Sequence, residues 1–313
     1  MQANNRVGRR LKLRDLNIFL VVAKEKSMSK AATELAISQP AISRAIADME
    51  NALGVPLLDR NPHGVEPTLY GRSLIKRSIV VFDELRQSVR DIEFLSDPTA
   101  GEIHIGCTPP LAAGIMPAVI ERLSRRYPRV LLRVMHADVT NLQRELRDRH
   151  IELAMWRTSS DVSDKDMESE ILFKDRSLVV ASPRNKWARR QRINLAELLE
   201  EPWILPPSGN VAGLAIDNPF RFGDVAVPRT SVSSTSMAMT MSLLATGRFL
   251  SLLPESMVRL TPNYTCLKVL PVKLRVPARL VALVTLKHRT ISPAAKLFIE
   301  CAREVAKSLV NSK

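Results

Sequence analysis

The chain has 313 residues, of which 45% are hydrophobic and 25% charged, a composition typical of a soluble globular protein with two or three domains. It contains no run of 18 apolar residues, and no uncharged apolar stretch follows its basic N-terminus, so neither a transmembrane helix nor a secretory signal is predicted. Its three scattered cysteines indicate a reducing cytoplasm rather than a disulfide framework.

The net charge of +14 points to a polyanion or an anionic ligand among the partners. Most of the excess lies in residues 96–313, with 31 Lys and Arg against 21 Asp and Glu; residues 1–95 have 15 against 11. We interpret two basic runs in the second part as solvated faces that add to long-range attraction by DNA: Arg122, Arg125, Arg126 and Arg129, and residues 184–192.

Residues 28–47 predict two short helices joined by a tight turn. Ser29 is expected to cap the first helix, which carries small apolar side chains on one side. Ser38 is expected to cap the second helix, with Pro40 in the first turn, where a missing N–H costs nothing. The pair predicts a helix-turn-helix; the alternative is an αα-hairpin with solvated polar faces.

The second of these helices has an apolar and a polar face. Its apolar positions form one stripe: Ile42, Ile46, Met49 and Leu53. The opposite face carries Gln39, Ser43 and Arg44, which are suited to the donors and acceptors of base edges in a DNA major groove. Contacts to phosphates and at the helix start complete the predicted DNA-binding set: Ser29, Lys30, Ser38, Pro40 and Arg60.

The flanking sequence extends this motif to a winged helix-turn-helix over residues 1–67. An amphipathic helix precedes it, with an apolar stripe at Leu16, Phe19, Leu20 and Ala23. Gly54 is expected to end the second helix of the motif. Two short extended runs on either side of residues 61–64 predict a β-hairpin, the wing, which would bring Arg60 to the DNA backbone.

Residues 68–97 predict a long linker helix that is capped by Thr68. Apolar residues recur along it with heptad spacing: Ile75, Phe82, Leu85, Val89 and Ile92. We interpret this seam as a dimerisation surface; the alternative is packing on the helix's own domain. A dimer would place two recognition helices about 34 Å apart and predicts a two-fold symmetric DNA site.

Strands and helices alternate beyond the linker at residues 96–101. Strands are predicted at 102–106, 130–136, 151–155, 176–181, 203–205, 249–253 and 280–285. Helices are predicted at 116–127, 140–149, 195–199, 236–246 and 292–310. This order predicts a mostly parallel sheet, in one piece or in two lobes. Ligands of such sheets lie at the carboxyl ends of the strands, where helix N-termini favour anions.

Together these residues resemble the LysR-type transcriptional regulators of bacteria over essentially the whole chain. The most specific stretch is FLVVAKEKSMSKAATELAISQPAISRAIADMENALGVPLLDR, followed by GVEPTLYGRSLI at the junction with the linker helix. The similarity is looser at residues 103–106, 126–130, 151–157 and 243–254. The linker segment YGRSLIKRSIVVFDELRQ resembles regulators of aromatic-acid and sugar catabolism.

The resemblance implies a multidomain α and α/β protein whose effector domain, residues 98–313, has the type 2 periplasmic-binding-protein fold. Lobe 1 would comprise residues 100–174 and 277–313 and lobe 2 residues 175–276, with crossovers near Lys174 and Pro277. A small organic effector, with anions among the candidates, would lie between the lobes. By position it would be lined by Cys107, Thr108, Pro110, Thr140, Ser208, Gly209, Thr235 and Ser236.

The family resemblance also implies a dimer that assembles into a tetramer on double-stranded DNA, in the cytoplasm, with RNA polymerase as a further candidate partner and no membrane. Two departures from the family pattern, Pro109-Pro110 and Gly247-Arg248-Phe249, add bulk near the expected cleft. They keep open a constitutive DNA-binding regulator with an empty cleft. A two-lobed solute-binding protein is the alternative from another class.

Enzymatic function is not predicted, because the chain has no Gly-x-Ser-x-Gly, P-loop or Gly-x-Gly-x-x-Gly sequence. The five histidines have no metal-ligand spacing with one another or with the cysteines, so neither a metal nor a cofactor is predicted. Cys107 is the one residue whose position suggests redox sensing, which would require an accessible, electropositive setting.

Overall fold

The computed structural model describes residues 11–61, 64–97, 100–159, 164–207, 228, 230–260, 267–274 and 277–311. The chain divides into two compact units, Met1–Arg86 and Gln87–Lys313. Among the described residues, no helix is long and apolar enough to cross a membrane.

Within its described residues, the first unit has three helices and a two-stranded wing ahead of a long helix. In chain order its elements are α1 (Leu13–Glu25), α2 (Met28–Leu35), α3 (Gln39–Leu53), β1 (Leu58–Asn61) and β2 (Gly64–Pro67). The two strands pair antiparallel, with Asp59 opposite Glu66. The helices enclose a core in which Phe19, Ile42 and Ile46 are completely buried. The predicted winged helix-turn-helix and the apolar stripe of its second helix are confirmed.

Two predicted details of these helices are wrong. Ser27, not Ser29, caps α2, with its Oγ accepting the Lys30 N–H at 3.3 Å. The helix begins earlier because Met28 is buried in the core, which leaves Ser29 exposed in the first turn. The buried face of α1 is rotated from the predicted stripe and is formed by Ile18, Phe19 and Val22.

A single long helix, α4 (Leu69–Ser96), leads from the first unit into the second. Thr68 caps it as predicted, because its Oγ1 accepts the Gly71 N–H at 3.0 Å. The same hydroxyl donates to the carbonyl of Pro56 at 2.7 Å, and the Thr68 N–H donates to Leu57 O. The helix therefore starts at a fixed place beside the wing.

The second unit alternates strands and helices. Its strands are β3 (Ala100–Cys107), β4 (Arg129–His136), β5 (Leu153–Thr158), β6 (Met167–Asp175), β7 (Ser177–Ala181), β8 (Trp203–Leu205), β9 (Thr230–Ser233), β10 (Leu250–Pro254), β11 (Lys268–Val269) and β12 (Arg279–Leu286). Its α-helices are α5 (Pro109–Ala113), α6 (Ile115–Arg126), α7 (Val139–Arg147), α8 (Met237–Ala245), α9 (Glu255–Leu260) and α10 (Pro293–Asn311). Short 3₁₀ helices lie at Lys186–Arg189 and Leu195–Leu198.

These strands form two five-stranded sheets, in the orders β4-β3-β5-β12-β6 and β11-β7-β10-β8-β9. The prediction of a mostly parallel sheet is wrong, because each sheet is mixed. In the first sheet β12 runs antiparallel to β5 and β6; in the second, β7 runs antiparallel to β10 and β11. The antiparallel pairs arise where the chain leaves one sheet after β6 and returns to it with β12.

Both sheets are covered by apolar side chains on two faces. One face of the first sheet packs against α6 and α10 through Val119, Leu123 and Phe298, and the other against α7 through Leu142 and Leu146. Two further clusters cover the second sheet. The helix predicted at 195–199 is a 3₁₀ helix, and the other predicted elements are present with ends within three residues.

The sequence prediction missed three strands that lie at the edges of their sheets: β11, which has only two residues, and the longer β6 and β9. Edge strands are partly solvated and their sequences, MESEILFKD and TSVS, are correspondingly polar. The apolar alternation on which strand prediction depends is therefore weak in both.

Candidate DNA-binding surface and effector site

The side chains predicted to contact DNA lie on the outside of the first unit. Those that are exposed are Ser29, Lys30, Ser38, Gln39, Pro40, Arg44 and Arg60. Ser43 is the exception, because it is half-buried and its hydroxyl lies 3.5 Å from the sulfur of Met28. Ser43 therefore has a second role in joining α3 to α2.

Helix α3 is held firmly at both ends. Ser38 caps its start as predicted, with its Oγ accepting the Ala41 N–H at 3.4 Å, and Pro40 lies in the first turn. Gly54 ends it in the left-handed conformation at φ 73°, also as predicted. Gln39 thus projects from the first turn of α3, and Arg44 from its exposed side.

Glu50, which the sequence prediction overlooked, connects α3 to the wing. Its Oε1 accepts the N–H groups of Leu57 and Leu58 at 2.7 and 3.2 Å, which fixes the start of β1. At the other wing strand, the Val65 N–H donates to Lys26 O at 3.1 Å. These contacts position the wing, and with it Arg60, relative to α3.

The predicted seam on α4 divides into two parts. Ile75 packs against the core of the first unit, which is the alternative left open by the sequence, and Phe82 is half-buried. Leu85, Val89 and Ile92 are exposed by 42%, 54% and 64%. The second half of the helix therefore presents an apolar stripe to its surroundings.

Cys107, the last residue of β3, is completely buried. Burial raises the pKa of its thiol to about 12. Its Sγ lies 3.9 Å from the carbonyl oxygen of Met135. The accessible, electropositive setting that redox sensing would require is absent at this residue, and its side chain presents no surface to a ligand.

The other predicted effector residues have different exposures. Thr108 and Pro110 are half-buried at the start of α5, whereas Thr140, Thr235 and Ser236 are exposed. Ser236 caps α8, with its Oγ accepting the Met239 N–H at 3.2 Å. The two remaining predicted residues, Ser208 and Gly209, lie outside the described part of the chain.

The structure brings together two of the segments on which these residues lie. Helix α5 follows β3 of the first sheet, and α8 precedes β10 of the second. The two helices share one apolar cluster through Ala113, Met237 and Met241. Thr108 and Ser236 stand at the starts of these two helices. The segments that follow β3 and β9 are therefore neighbours, although they are more than one hundred residues apart in sequence.

A buried charged network, missed by the sequence prediction, lies where the chain passes between the sheets. The carboxylate of Asp175, at the end of β6, accepts the N–H and hydroxyl of Ser256 at 3.0 and 2.8 Å. The Arg157 guanidinium lies 3.4 Å from the same carboxylate. Burial raises the pKa of Asp175 against the opposing effect of Arg157. The network ties β5 of the first sheet to α9 behind the second.

A second missed group is Glu152, which is 1% exposed beside the end of α4. Its Oε1 lies 2.7 Å from Arg90 Nη1, and its Oε2 accepts from Gln87 Nε2 and the Ser292 N–H, both at 3.4 Å. Gln87 also donates to Thr290 O at 3.2 Å. The last turns of the linker helix are therefore joined to the sheet domain by a buried carboxylate.

Two cavities are lined by none of the predicted effector residues that the structure describes. One, of about 720 Å³, is lined mainly by polar side chains that include Lys186, Glu200, Glu201 and Arg248. The other, of about 300 Å³, lies beside Asp175, Ser256 and Arg259. No group of three or more His, Cys, Asp or Glu residues in the described ranges could hold a metal ion.

Two families match the chain in this order. The family described as "Bacterial regulatory helix-turn-helix protein, lysR family" matches residues 13–72, and the "LysR substrate binding domain" matches residues 96–307. The chain belongs to the LysR family of DNA-binding transcriptional regulators and has an effector-binding domain. Regulators of this family oligomerise. This membership decides for the regulator and against the solute-binding protein.

Regulators of this family are similar to the chain over almost its whole length. The transcriptional dual regulator GltC of Bacillus subtilis is 27% identical over 292 residues, 93% of this chain and 96% of the relative. GbpR of Azospirillum brasilense is 25% identical over 296 residues, which cover 94% and 86%.

Solved structures show the same fold. A full-length OxyR variant from Pseudomonas aeruginosa has a TM-score of 0.66 at 21% identity and covers 95% of both chains. CbnR, described as a LysR family transcriptional regulator, has a TM-score of 0.64 at 18% identity, covering 95% of this chain and 99% of its own. CbnR complexed with its target DNA has a TM-score of 0.54 at 18% identity, with coverages of 95% and 100%.

Proposed function

We propose that this regulator acts in the cytoplasm by binding rather than catalysis, and that α3 reads a two-fold symmetric operator. Gln39, Ser43 and Arg44 contact base edges. Phosphates are held by Ser29, Lys30, Ser38 and Arg60, while Pro40 shapes the start of the helix. The proposed division is a DNA-binding domain at residues 1–67, a linker at 68–97 and an effector domain at 98–313.

The observation that supports this proposal is the separation of the two faces of α3. Ile42, Ile46 and Met49 are completely buried, whereas Gln39 and Arg44 are exposed, although their positions interleave along one helix. The exposed face carries side chains with hydrogen-bonding ends, of which Ser43 also contacts α2. Such a face is suited to base edges in a major groove.

Selection of operator DNA from a randomised library by the full-length protein tests this function. We expect an enriched motif with two-fold symmetry. Arg44→Ala should weaken binding to that motif by roughly 10- to 100-fold, the loss of one good bidentate base contact. Lys76→Ala, a charge removed from an exposed site on α4, is the matched control and should change affinity far less. Absence of an enriched motif would contradict the proposal.

For the effector we propose a small organic molecule held between two lobes, 100–174 with 277–313 and 175–276. Thr108, Pro110, Thr140, Thr235 and Ser236 lie on segments at strand ends, and Ser208 and Gly209 complete the proposed set. The contact between α5 and α8 supports this assignment because it joins segments that follow different sheets. Cys107 lies behind this surface and supports the backbone of β3.

Thermal unfolding against aromatic acids, sugar acids and dicarboxylates tests the effector proposal. A ligand that binds only the folded protein adds about 2.7 kcal/mol of stability at one hundred times its Kd. Thr108→Val and Ser236→Ala should reduce the shift given by a true effector, with Ser308→Ala on α10 as the control. A protein that regulates transcription without a shift from any compound would be the constitutive regulator with an empty cleft.

We propose that the apolar stripe Leu85, Val89 and Ile92 forms the dimer contact, with Phe82 beside it and Ile75 packed inside its own domain. An exposed apolar stripe at helical spacing supports this, because water is a poor environment for it. Two dimers would form a tetramer on paired half-sites, and RNA polymerase is the proposed partner for output. Light scattering of Val89→Asp should show the smaller assembly.

A further inference from the structure

The two arginine runs of the effector domain differ in how their charges are balanced. Each arginine of the first run has a carboxylate partner: Arg122 and Arg126 contact Glu304 at 2.8 and 2.9 Å, Arg125 contacts Glu121, and Arg129 contacts Asp97 at 2.7 Å. These four arginines share three carboxylates, so most of their charge is balanced within the domain, and we call them the neutralised run.

The second run, residues 184–192, is balanced far less. It contains five cations and no acid in the sequence RNKWARRQR. Lys186 pairs with Glu201 at 2.6 Å, but Arg184, Arg189, Arg190 and Arg192 are exposed and make no ion pair with any carboxylate that the structure describes. We call these four side chains the basic surface.

The basic surface rests on an ordered turn. The 3₁₀ helix Lys186–Arg189 is capped by Asn185, whose Oδ1 accepts the Trp187 N–H at 3.0 Å. Asn185 is buried and its Nδ2 donates to Gly247 O at 2.9 Å, which fixes the turn to the segment before β10. The backbone beneath these cations is therefore already ordered, while their side chains are exposed.

Neighbouring groups add to the positive character. The half-buried ring of Trp187 lies beside two cations, with Lys186 Nζ at 5.6 Å and Arg190 Cζ at 5.8 Å from its centroid. Arg248 is exposed and lines the 720 Å³ cavity together with Lys186. Three described acids are near in sequence or space. Glu200 and Glu201 line the same cavity, and Glu197 accepts the N–H of Asn194 at the start of the next 3₁₀ helix.

We propose that the basic surface, Arg184, Arg189, Arg190 and Arg192, binds the phosphate backbone of duplex DNA without regard to sequence. This inference rests on the proposed function, because α3 first brings the protein to DNA and so raises the local DNA concentration. Four exposed guanidinium groups on and beside an ordered turn, without an ion pair to any described carboxylate, are suited to phosphates, with which arginine forms bidentate hydrogen bonds. The surface would strengthen binding to long DNA without changing which operator is chosen.

The test compares two duplexes: the selected operator alone, and the operator extended on each side by about 30 bp, roughly three helical turns. Affinity is measured over a range of salt concentrations for the full-length protein. For the wild type, the salt dependence should be steeper on the extended duplex, by about 0.9 in log–log slope for each additional phosphate contacted. Equal slopes on the two duplexes would overturn the proposal.

The variant Arg189→Gln/Arg190→Gln/Arg192→Gln removes three charges of the basic surface. It should lose about 2.7 units of the additional slope for each protomer whose three arginines contact phosphates, and at least roughly tenfold in affinity for the extended duplex at low salt. Binding to the short operator should be unchanged. The control Arg122→Gln/Arg125→Gln/Arg126→Gln removes the same charge from the neutralised run and should keep the additional slope. An equal loss in both variants would overturn the assignment to this surface.

The two proposals fail in different ways. Failure of operator reading appears on the short duplex, where Arg44→Ala would then have no effect. Failure of the basic surface appears only in the difference between the duplexes. Vesicles of phosphatidylglycerol and phosphatidylcholine provide a further arm: vesicle binding that depends on the three arginines, with unchanged DNA slopes, would assign the surface to anionic lipid and overturn the proposal.

Discussion

In helix α3 of the DNA-binding domain, the side chains of the core and those that we propose to contact DNA lie on opposite faces of one element: Ile42 and Ile46 are buried, and Gln39 and Arg44 are exposed. The effector domain is arranged differently, because charged groups such as Glu152 and Asp175 are buried and hold elements together. Substitution can therefore separate stability from the proposed DNA contacts in the first domain, whereas in the second the buried charges should act on stability.

The largest effect is expected at Glu152, where the effector domain depends on a buried charge. Glu152→Ala leaves Arg90 without its partner and should reduce the free energy of unfolding by about 3–5 kcal/mol. All three tryptophans, Trp156, Trp187 and Trp203, lie in this domain, so urea unfolding followed by tryptophan fluorescence measures it selectively.

Glu121→Ala is the matched control for Glu152→Ala. Glu121 is an exposed partner of Arg125, so its removal should change stability by less than about 0.5 kcal/mol. Similar losses in the two variants would show that buried charge does not distinguish the effector domain.

The DNA-binding domain should respond to Ile46→Ala with a loss of about 2–5 kcal/mol, because the completely buried side chain leaves a cavity. Helical circular dichroism should detect this loss, while the tryptophan transition should remain unchanged. Ile46→Val, which removes one methylene, should cost about 0.5–1.5 kcal/mol. A matching shift of the tryptophan transition would mean that the two units unfold together.

A smaller effect is expected at Asp138, which caps α7 by accepting the Asn141 N–H at 2.9 Å. Asp138→Ala should cost about 1 kcal/mol at neutral pH. The hydrogen bond from the Asn141 backbone lowers the pKa of this carboxyl in the folded chain. Its stabilisation is therefore present above the ordinary aspartate pKa of about 3.9 and is lost as the pH falls through the lowered value.

Urea unfolding of the wild type and Asp138→Ala at several pH values checks this dependence. The difference in stability between them should shrink on acidification. Asp138→Asn keeps an acceptor without a titrating group, so its own difference from the wild type should also vary with pH but begin smaller. If the difference in unfolding free energy between wild type and Asp138→Ala does not depend on pH, the ionised carboxylate of Asp138 does not stabilise the helix start.

No reaction is expected at Cys107 in the native protein. Because burial raises its thiol pKa to about 12, only roughly one molecule in ten thousand carries the thiolate at pH 8. Iodoacetamide labelling read by peptide mass spectrometry should modify Cys107 in denaturant and leave it intact in the folded chain. Rapid labelling of the folded protein would restore the redox interpretation.

The same contrast explains what the sequence could predict. The α3 stripe Ile42, Ile46 and Met49 follows a local helical period, so its burial is predicted correctly, while Ser43 of the predicted polar face is half-buried. The sequence does not predict the contact of Glu50 with the wing, because its partners, Leu57 and Leu58, lie beyond the helix. Ser27 and Ser29 can both cap a helix, and only the burial of Met28 decides for Ser27.

In the effector domain the prediction depended on long-range placement. Cys107 and Thr108 are adjacent in sequence, but only the β-strand path shows that Cys107 points into the core and Thr108 begins a helix. The Arg157–Asp175 pair joins residues on different strands, and no local pattern indicates it. Polar edge strands such as β6 carry too weak a pattern to detect.

A scan of the selected operator with 7-deazapurines tests most sharply whether α3 reads bases through Arg44. The scan removes the N7 acceptor of one purine at a time, and affinities are measured for the wild type and Arg44→Ala. We expect one position in each half-site where the substitution weakens the wild type about tenfold or more and Arg44→Ala hardly at all. Identical profiles for the two proteins would contradict the claim.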